Sequence, residues 1–133
     1  MTRDEFEKYV AETYGVEPEY PWRTNPDFAV FRHANNKKWF ALLMNIPRSR
    51  LESGEEIVDA VNLKCMPTFA SSFCADRGIY PAYHMNKAHW ISVVIGEADD
   101  DEIKMLLDMS FELTMSKVKI KKAIEDESTA ARE

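Results

Sequence analysis

Two apolar periods alternate along the chain, and together they predict the order helix, three strands, helix, strand, helix. Helical spacing comes first. Phe6, Tyr9, Val10, Thr13 and Tyr14 stand at i, i+3, i+4, i+7 and i+8, which is one buried stripe on a helix over residues 2–14. Thr2 and Glu5 form a capping box, in which each side chain satisfies a free backbone N–H, and Gly15 suits the left-handed residue just past the helix end. Residues 16–27 carry Pro18, Pro21 and Pro26 and read as a loop, with Tyr20 and Trp22 expected to pin it to the body.

A period of two follows. Residues 28–33 and 38–46 read as strands joined by Ala34-Asn35-Asn36-Lys37, where Asn tolerates the left-handed backbone of a tight turn. In the second strand Trp39, Ala41 and Leu43 oppose Phe40, Leu42 and Met44, so both faces are apolar and a central strand covered on both sides is expected. Residues 56–64 form the third strand. A short helix runs from about Pro67 to Asp76, with Phe69 and Phe73 expected to face inward, and ends at Gly78. Residues 79–89 read as a loop and 90–95 as a strand. The acidic run 97–102 opens the last helix, where negative charge meets the free N–H groups, and Ile103, Leu106, Leu107, Ser110, Phe111 and Thr114 carry its period. The expected class is α+β: an antiparallel sheet of about four to five strands with helices packed on it in two layers.

A length of 133 residues fits one domain. No apolar run approaches the roughly 18 residues of a membrane span, and charges follow the first methionine, so a cytosolic protein is expected. Cys65 and Cys74 are then free thiols in or near the core, since their spacing matches no common zinc or redox motif. No cofactor is expected, and the self-sufficient set of amphipathic elements points to a monomer.

The net charge of −6 opposes strong nonspecific binding to nucleic acid, yet the charge is unevenly placed. Residues 28–51 hold five bases and no acid, and residues 52–59 hold four acids and no base. A local basic face on an acidic molecule is therefore an expectation.

The densest chemistry is Tyr83-His84-Met85-Asn86-Lys87-Ala88-His89-Trp90, where two imidazoles, an amide, an ammonium and an indole stand within eight residues. This run, with Tyr20-Pro21-Trp22, Val30-Phe31-Arg32, Lys38-Trp39-Phe40-Ala41-Leu42, Val61-Asn62-Leu63-Lys64-Cys65, Pro81-Ala82 and Ser110-Phe111-Glu112-Leu113, resembles the YjbR/MmcQ family of small bacterial proteins. The resemblance covers about residues 1–117 and leaves 118–133 as a charged tail or helix extension. It implies a secretion-chaperone-like α+β layout and a DNA-binding role through paired hairpins described as a double wing, with no enzyme activity. Two positions depart from the family pattern. Met66 replaces an Asp that would cap the middle helix, and Ala82 replaces a Gly before the Tyr-His run.

Three uses of these residues compete. For DNA, Lys37, Lys38, Arg48, Arg50, Lys64 and Lys87, with His89 nearby, would contact phosphates. For a protein or small ligand, Tyr83, His84, Asn86, Lys87, His89 and Trp90 would line a site beside an open sheet face. For catalysis, His84 and His89 would serve as acid and base, but no nucleophile elbow or phosphate loop accompanies them. A metal site is not expected, because His84 and His89 lack close ligand partners. The same cluster also reads as fold-keeping, with His84 and Asn86 capping loop backbone and Trp90 in the core.

Overall fold

The computed structural model describes residues 1–115, so the expected tail over 118–133 lies outside the described residues. The elements are α1 (Arg3–Tyr14), β1 (Ala29–Arg32), β2 (Trp39–Pro47), β3 (Ile57–Lys64), α2 (Pro67–Phe73), β4 (Ile79–Pro81), β5 (Trp90–Val94) and α3 (Asp100–Thr114), with a 3-10 turn at Arg48–Arg50. The five strands form one antiparallel sheet in the order β1-β2-β3-β5-β4. The α+β expectation holds. Among the described residues no helix is long and apolar enough to cross a membrane.

The helices cover one face of the sheet. Phe6 and Val10 from α1 and Ile103, Leu106 and Leu107 from α3 pack against Ala29, Phe31, Leu43, Val61, Leu63, Ile91 and Val93. The helix ends follow the sequence. Thr2 and Glu5 make the reciprocal cap at 3.2 and 3.1 Å, Gly15 takes φ 67, and Asp99 caps α3 by accepting the Glu102 N–H. Thr13, expected in the buried stripe, is exposed.

The second face carries its own apolar cluster: Val30, Leu42, Met44, Ile46, Val58, Ala60 and Val94. Among the described residues no helix lies on it. Loop residues Trp22, Phe28, Leu51, Tyr83 and Met85 pack there instead. The second strand is thus covered on both sides, as its sequence requires, although β3 takes the middle of the sheet.

A bulge corrects the facing read from simple alternation. Phe31 pairs with Ala41 but Arg32 pairs with Trp39, so Phe40 is the extra residue. Phe40 therefore joins Ala41 and Leu43 under the helices, while Trp39 joins Leu42 and Met44 on the loop-covered face. The Ser110 hydroxyl of α3 donates to the Phe40 carbonyl at 2.5 Å and accepts the Lys64 N–H at 2.8 Å, tying bulge, β3 and helix together.

Three further expectations change. The turn after β1 places Lys37, not an asparagine, at φ 63. Asn36 is committed elsewhere: its Oδ1 accepts the Lys38 N–H at 2.9 Å and its Nδ2 donates to the Thr114 carbonyl at 2.9 Å. Phe69 is 46% exposed, because the seven-residue α2 lies at the rim and fully buries only Ala70. Residues 79–81, read as loop, form edge strand β4, where Pro81 needs no second partner. The turn into β4 requires Gly78, with φ 80 and a position where a Cβ would fall 2.5 Å from the Ala98 nitrogen.

Candidate functional site

The loop-covered face holds an aromatic groove of about 380 Å³. Leu42 and Met44 of β2 line it, with Trp22 and Phe28 from the first loop, Trp39 from the head of β2, and Tyr83 and Met85 from the loop after β4. Asn25 and His84 add polar groups. Trp22 meets Trp39 edge to face at 5.7 Å and Phe28 at 6.2 Å, which are favoured aromatic geometries. The groove exists because β2 is apolar outward as well as inward, and because the bulge turns Trp39 outward.

One wall is fixed by a closed ring of hydrogen bonds. Asn62 donates to the Tyr83 carbonyl at 2.7 Å, the Tyr83 N–H donates to Ser92 Oγ at 2.9 Å, and Ser92 donates to Asn62 Oδ1 at 2.5 Å. Asn62 and Ser92 are fully buried and sit opposite each other on β3 and β5. Two buried polar side chains under an otherwise apolar face are costly unless satisfied, and here each is satisfied through the Tyr83 backbone. Asn62 belongs to the motif that carried the family resemblance, and its task is to hold Tyr83.

The next residue is strained. His84 takes φ 64, which a side chain other than Gly or Asn rarely adopts, and its ring lies 3.9 Å from that of Tyr83. Arg50 lies over the other part of this wall, its guanidinium carbon 5.9 Å from the Tyr83 ring centre.

Of the residues expected for ligand binding, only Tyr83 and His84 line the groove. Asn86 caps the turn that follows: its Oδ1 accepts the Ala88 N–H at 2.8 Å and its carbonyl accepts the Trp90 N–H at 2.9 Å. Lys87 folds back and donates to the Ala82 carbonyl at 2.6 Å. His89 is exposed, and its carbonyl accepts the Cys65 N–H at 2.7 Å. Trp90 is half-buried at the head of β5, opposite Lys64. The run is thus split between groove wall and loop architecture. Sequence reasoning missed Trp22, Asn25, Phe28, Trp39, Leu42, Met44 and Met85 as lining residues. The signal available was the second apolar face of β2; the bulge that brings Trp39 to it carried none.

The basic residues part company. Lys37 and Lys38 stand exposed at the β1–β2 turn, and Lys64 and Lys87 fall at the same end of the sheet. Arg48 and Arg50 follow the other end of the nine-residue β2, about 30 Å away at ~3.3 Å per residue. Arg48 is not a free cation. It is paired with Glu52 at 2.9 Å and with Glu56 and Glu97, leaving its side chain 13% exposed. Tyr80 donates to Glu52 at 2.6 Å, so the cluster also ties β4 to this end. The Tyr80 hydroxyl and the Arg48 guanidinium hold the Glu52 carboxyl below the usual carboxylate range. Backbone N–H groups and Arg48 do the same for Glu56.

Both cysteines are thiols, Cys65 buried and Cys74 half-buried, and burial pushes both upward, away from the reactive thiolate. Among the described residues no group of three or more His, Cys, Asp or Glu could hold a metal ion.

The comparisons agree with this architecture. The chain is 42% identical over 116 residues to the uncharacterised protein YyaQ of Bacillus subtilis (strain 168), a match covering 86% of this chain and 98% of that protein. A crystal structure from Pseudomonas syringae superposes with a TM-score of 0.84 at 44% identity, covering 86% of this chain and 100% of the other. The Deinococcus radiodurans protein DR2400, at 20% identity and a TM-score of 0.65, covers 91% of this chain and 86% of its own and shares the fold. The family profile described as YjbR matches residues 11–113, and on that span the chain belongs to the YjbR family.

Proposed function

We propose that this protein is a non-enzymatic cytosolic binding module, and that its site is the aromatic groove over Leu42 and Met44. One observation carries the reading. A face that a two-layer α+β fold normally seals with helices or leaves polar is here apolar, covered among the described residues by loops, and shaped into a groove of about 380 Å³ lined by four aromatic rings. That volume suits a small molecule with one or two rings. The Asn62–Ser92–Tyr83 ring supports the same reading, because preorganising a wall lowers the ordering cost of binding.

The three tryptophans provide the test. Titration with neutral 2-naphthamide, followed by NMR, is expected to shift the indole N–H signals of Trp22 and Trp39. Trp90, outside the groove, serves as the internal reference and stays in place. Movement of no signal, or of all three alike, refutes the site.

A second reading, binding of duplex DNA, is supported by the exposed Lys37 and Lys38 and by Lys64 and Lys87 at the same end of the sheet. The enclosure of Arg48 by three carboxylates and the net charge of −6 count against it. The discriminating measurement is the salt dependence of duplex affinity, in which Lys37→Ala would lower the log–log slope by about 0.9 if that lysine neutralises a phosphate.

A further inference from the structure

We infer that the occupant of the groove is a flat aromatic molecule carrying a carboxylate or a comparable anionic group, an inference that rests on the groove reading above. Three observations converge. First, none of the nine lining residues is Asp or Glu, on a chain with 23 acids against 17 bases. Second, an arginine left without a carboxylate partner reaches a ring of the groove wall. Arg3, Arg32 and Arg48 are each paired with glutamate. Arg23, Arg50 and Arg77 have no carboxylate partner within 4.0 Å among the described residues, and of these Arg50 lies over the ring of Tyr83, a lining residue. A guanidinium stacked on an aromatic face keeps its planar fork of N–H donors at the edge, where it can grip a carboxylate with two bonds. Third, His84, held at positive φ, adds an imidazole to the lining.

Ring and charge thus have separate berths. The rings of Trp22, Trp39 and Phe28, with Met44 and Met85, provide contact surface for a planar body. Arg50 over Tyr83, with His84 in the lining, takes the charged end. A cation of the same shape would meet those groups and find no carboxylate.

The test compares three probes of one shape at the Trp22 and Trp39 indole signals: 2-naphthoate, neutral 2-naphthamide and 2-naphthylmethylammonium. The naphthoate is expected to bind about fivefold or more tighter than the amide, and the ammonium weakest, in line with a partly exposed charge pair. The net negative charge of the protein works against this order, so finding it reports the local site. Arg50→Gln, on an exposed side chain, is expected to remove most of the naphthoate advantage, read as the ratio of naphthoate to amide affinity in the same variant. Equal binding of all three probes, preference for the ammonium, or an unaltered naphthoate advantage in Arg50→Gln overturns the anionic class while the groove itself stands. Failure of every probe to move Trp22 or Trp39 removes both the class and the groove reading.

Discussion

The two faces of the sheet solve the same burial problem differently. Under α1 and α3 the core is closed by helices whose apolar stripes were written for it, and Phe6, Leu106, Leu107 and Ile103 have almost no exposure. On the opposite face the strands are equally apolar, but loops provide the cover, and Trp22, Trp39, Tyr83 and Met85 remain partly exposed. A helix-sealed face is committed to stability. A loop-sealed face leaves contact area unspent, and loops are where sites are usually built on a rigid scaffold. One sheet therefore carries a stability side and a recognition side.

Truncation separates the two most sharply. Leu106→Ala opens a cavity under the helices and is expected to lower unfolding free energy by about 2–5 kcal/mol, with affinity for an aromatic probe unchanged at temperatures where the variant is folded. Trp39→Ala is expected to do the reverse, with a smaller loss in denaturant melts and a loss of probe binding of about tenfold or more. If Leu106→Ala weakens binding as much as Trp39→Ala does, the faces are coupled and the division fails.

The next effect lies between the faces. Asn62 and Ser92 are strand residues whose side chains serve a loop. Asn62→Ala leaves the Tyr83 carbonyl without its buried donor and is expected to cost about 1–3 kcal/mol. Ser92→Ala breaks the same ring, so Asn62→Ala/Ser92→Ala is expected to cost less than the sum of the single changes. Both changes should also weaken probe binding by freeing the groove wall. Simple additivity in a double-mutant cycle would show that the three bonds do not act as a unit.

This division also explains what was legible in the sequence. The helix-sealed side is encoded by local rules: the Thr2–Glu5 box, Gly15, the Asp99 cap and the period of α3 all act within a few residues, and the structure follows them. The groove side depends on relations between distant residues. The two-sided pattern of β2 announced that something covers its outer face, but not that loops 16–28 and 82–89 do so. The facing of Trp39 turns on one bulge at Phe40, which shifts the alternation without leaving a mark such as Gly. Arg48 closes a stretch with no acid, yet Glu52 stands four residues on, Glu56 lies across a turn and Glu97 arrives from 49 residues away, and only the fold shows that all three meet it. The Tyr83–Trp90 run was visible as unusual, but its division into Tyr83 and His84 at the groove and Asn86 and Lys87 as loop fasteners depends on tertiary partners.

The far end of the loop-covered face gives a pH prediction. Glu52 and Glu56 titrate below their ordinary range in the folded state because Tyr80, backbone N–H groups and Arg48 favour the charged form. A depressed folded pKa adds stability that is fully present above the unfolded value, near 4.3, and is lost as pH falls through the folded one. Glu102 works the other way, since burial and the nearby Asp76 raise it and its protonation favours the fold. Urea melts between pH 7 and pH 3 should therefore show a loss on acidification that Arg48→Met reduces. An acid profile unchanged in Arg48→Met would mean that the cluster adds nothing to stability.

The smallest expected effect concerns two strained residues, one at each kind of site. Lys37 and His84 are the non-glycine residues with positive φ among the described residues, at 63° and 64°. An L-residue in that region gives up about 1–2 kcal/mol, part of which glycine recovers, offset by its greater freedom in the unfolded chain. Lys37→Gly and His84→Gly are each expected to raise stability by roughly 0.5–1 kcal/mol. Their effects on recognition should differ. Lys37 serves a turn, so its removal leaves aromatic-probe binding intact. His84 lines the groove and packs on Tyr83, so His84→Gly should gain stability and lose affinity together. That trade-off is the mark of strain maintained for a site. If His84→Gly is stabilised and still binds the probe at full strength, its left-handed backbone is a feature of the loop alone, and the groove ends at Tyr83.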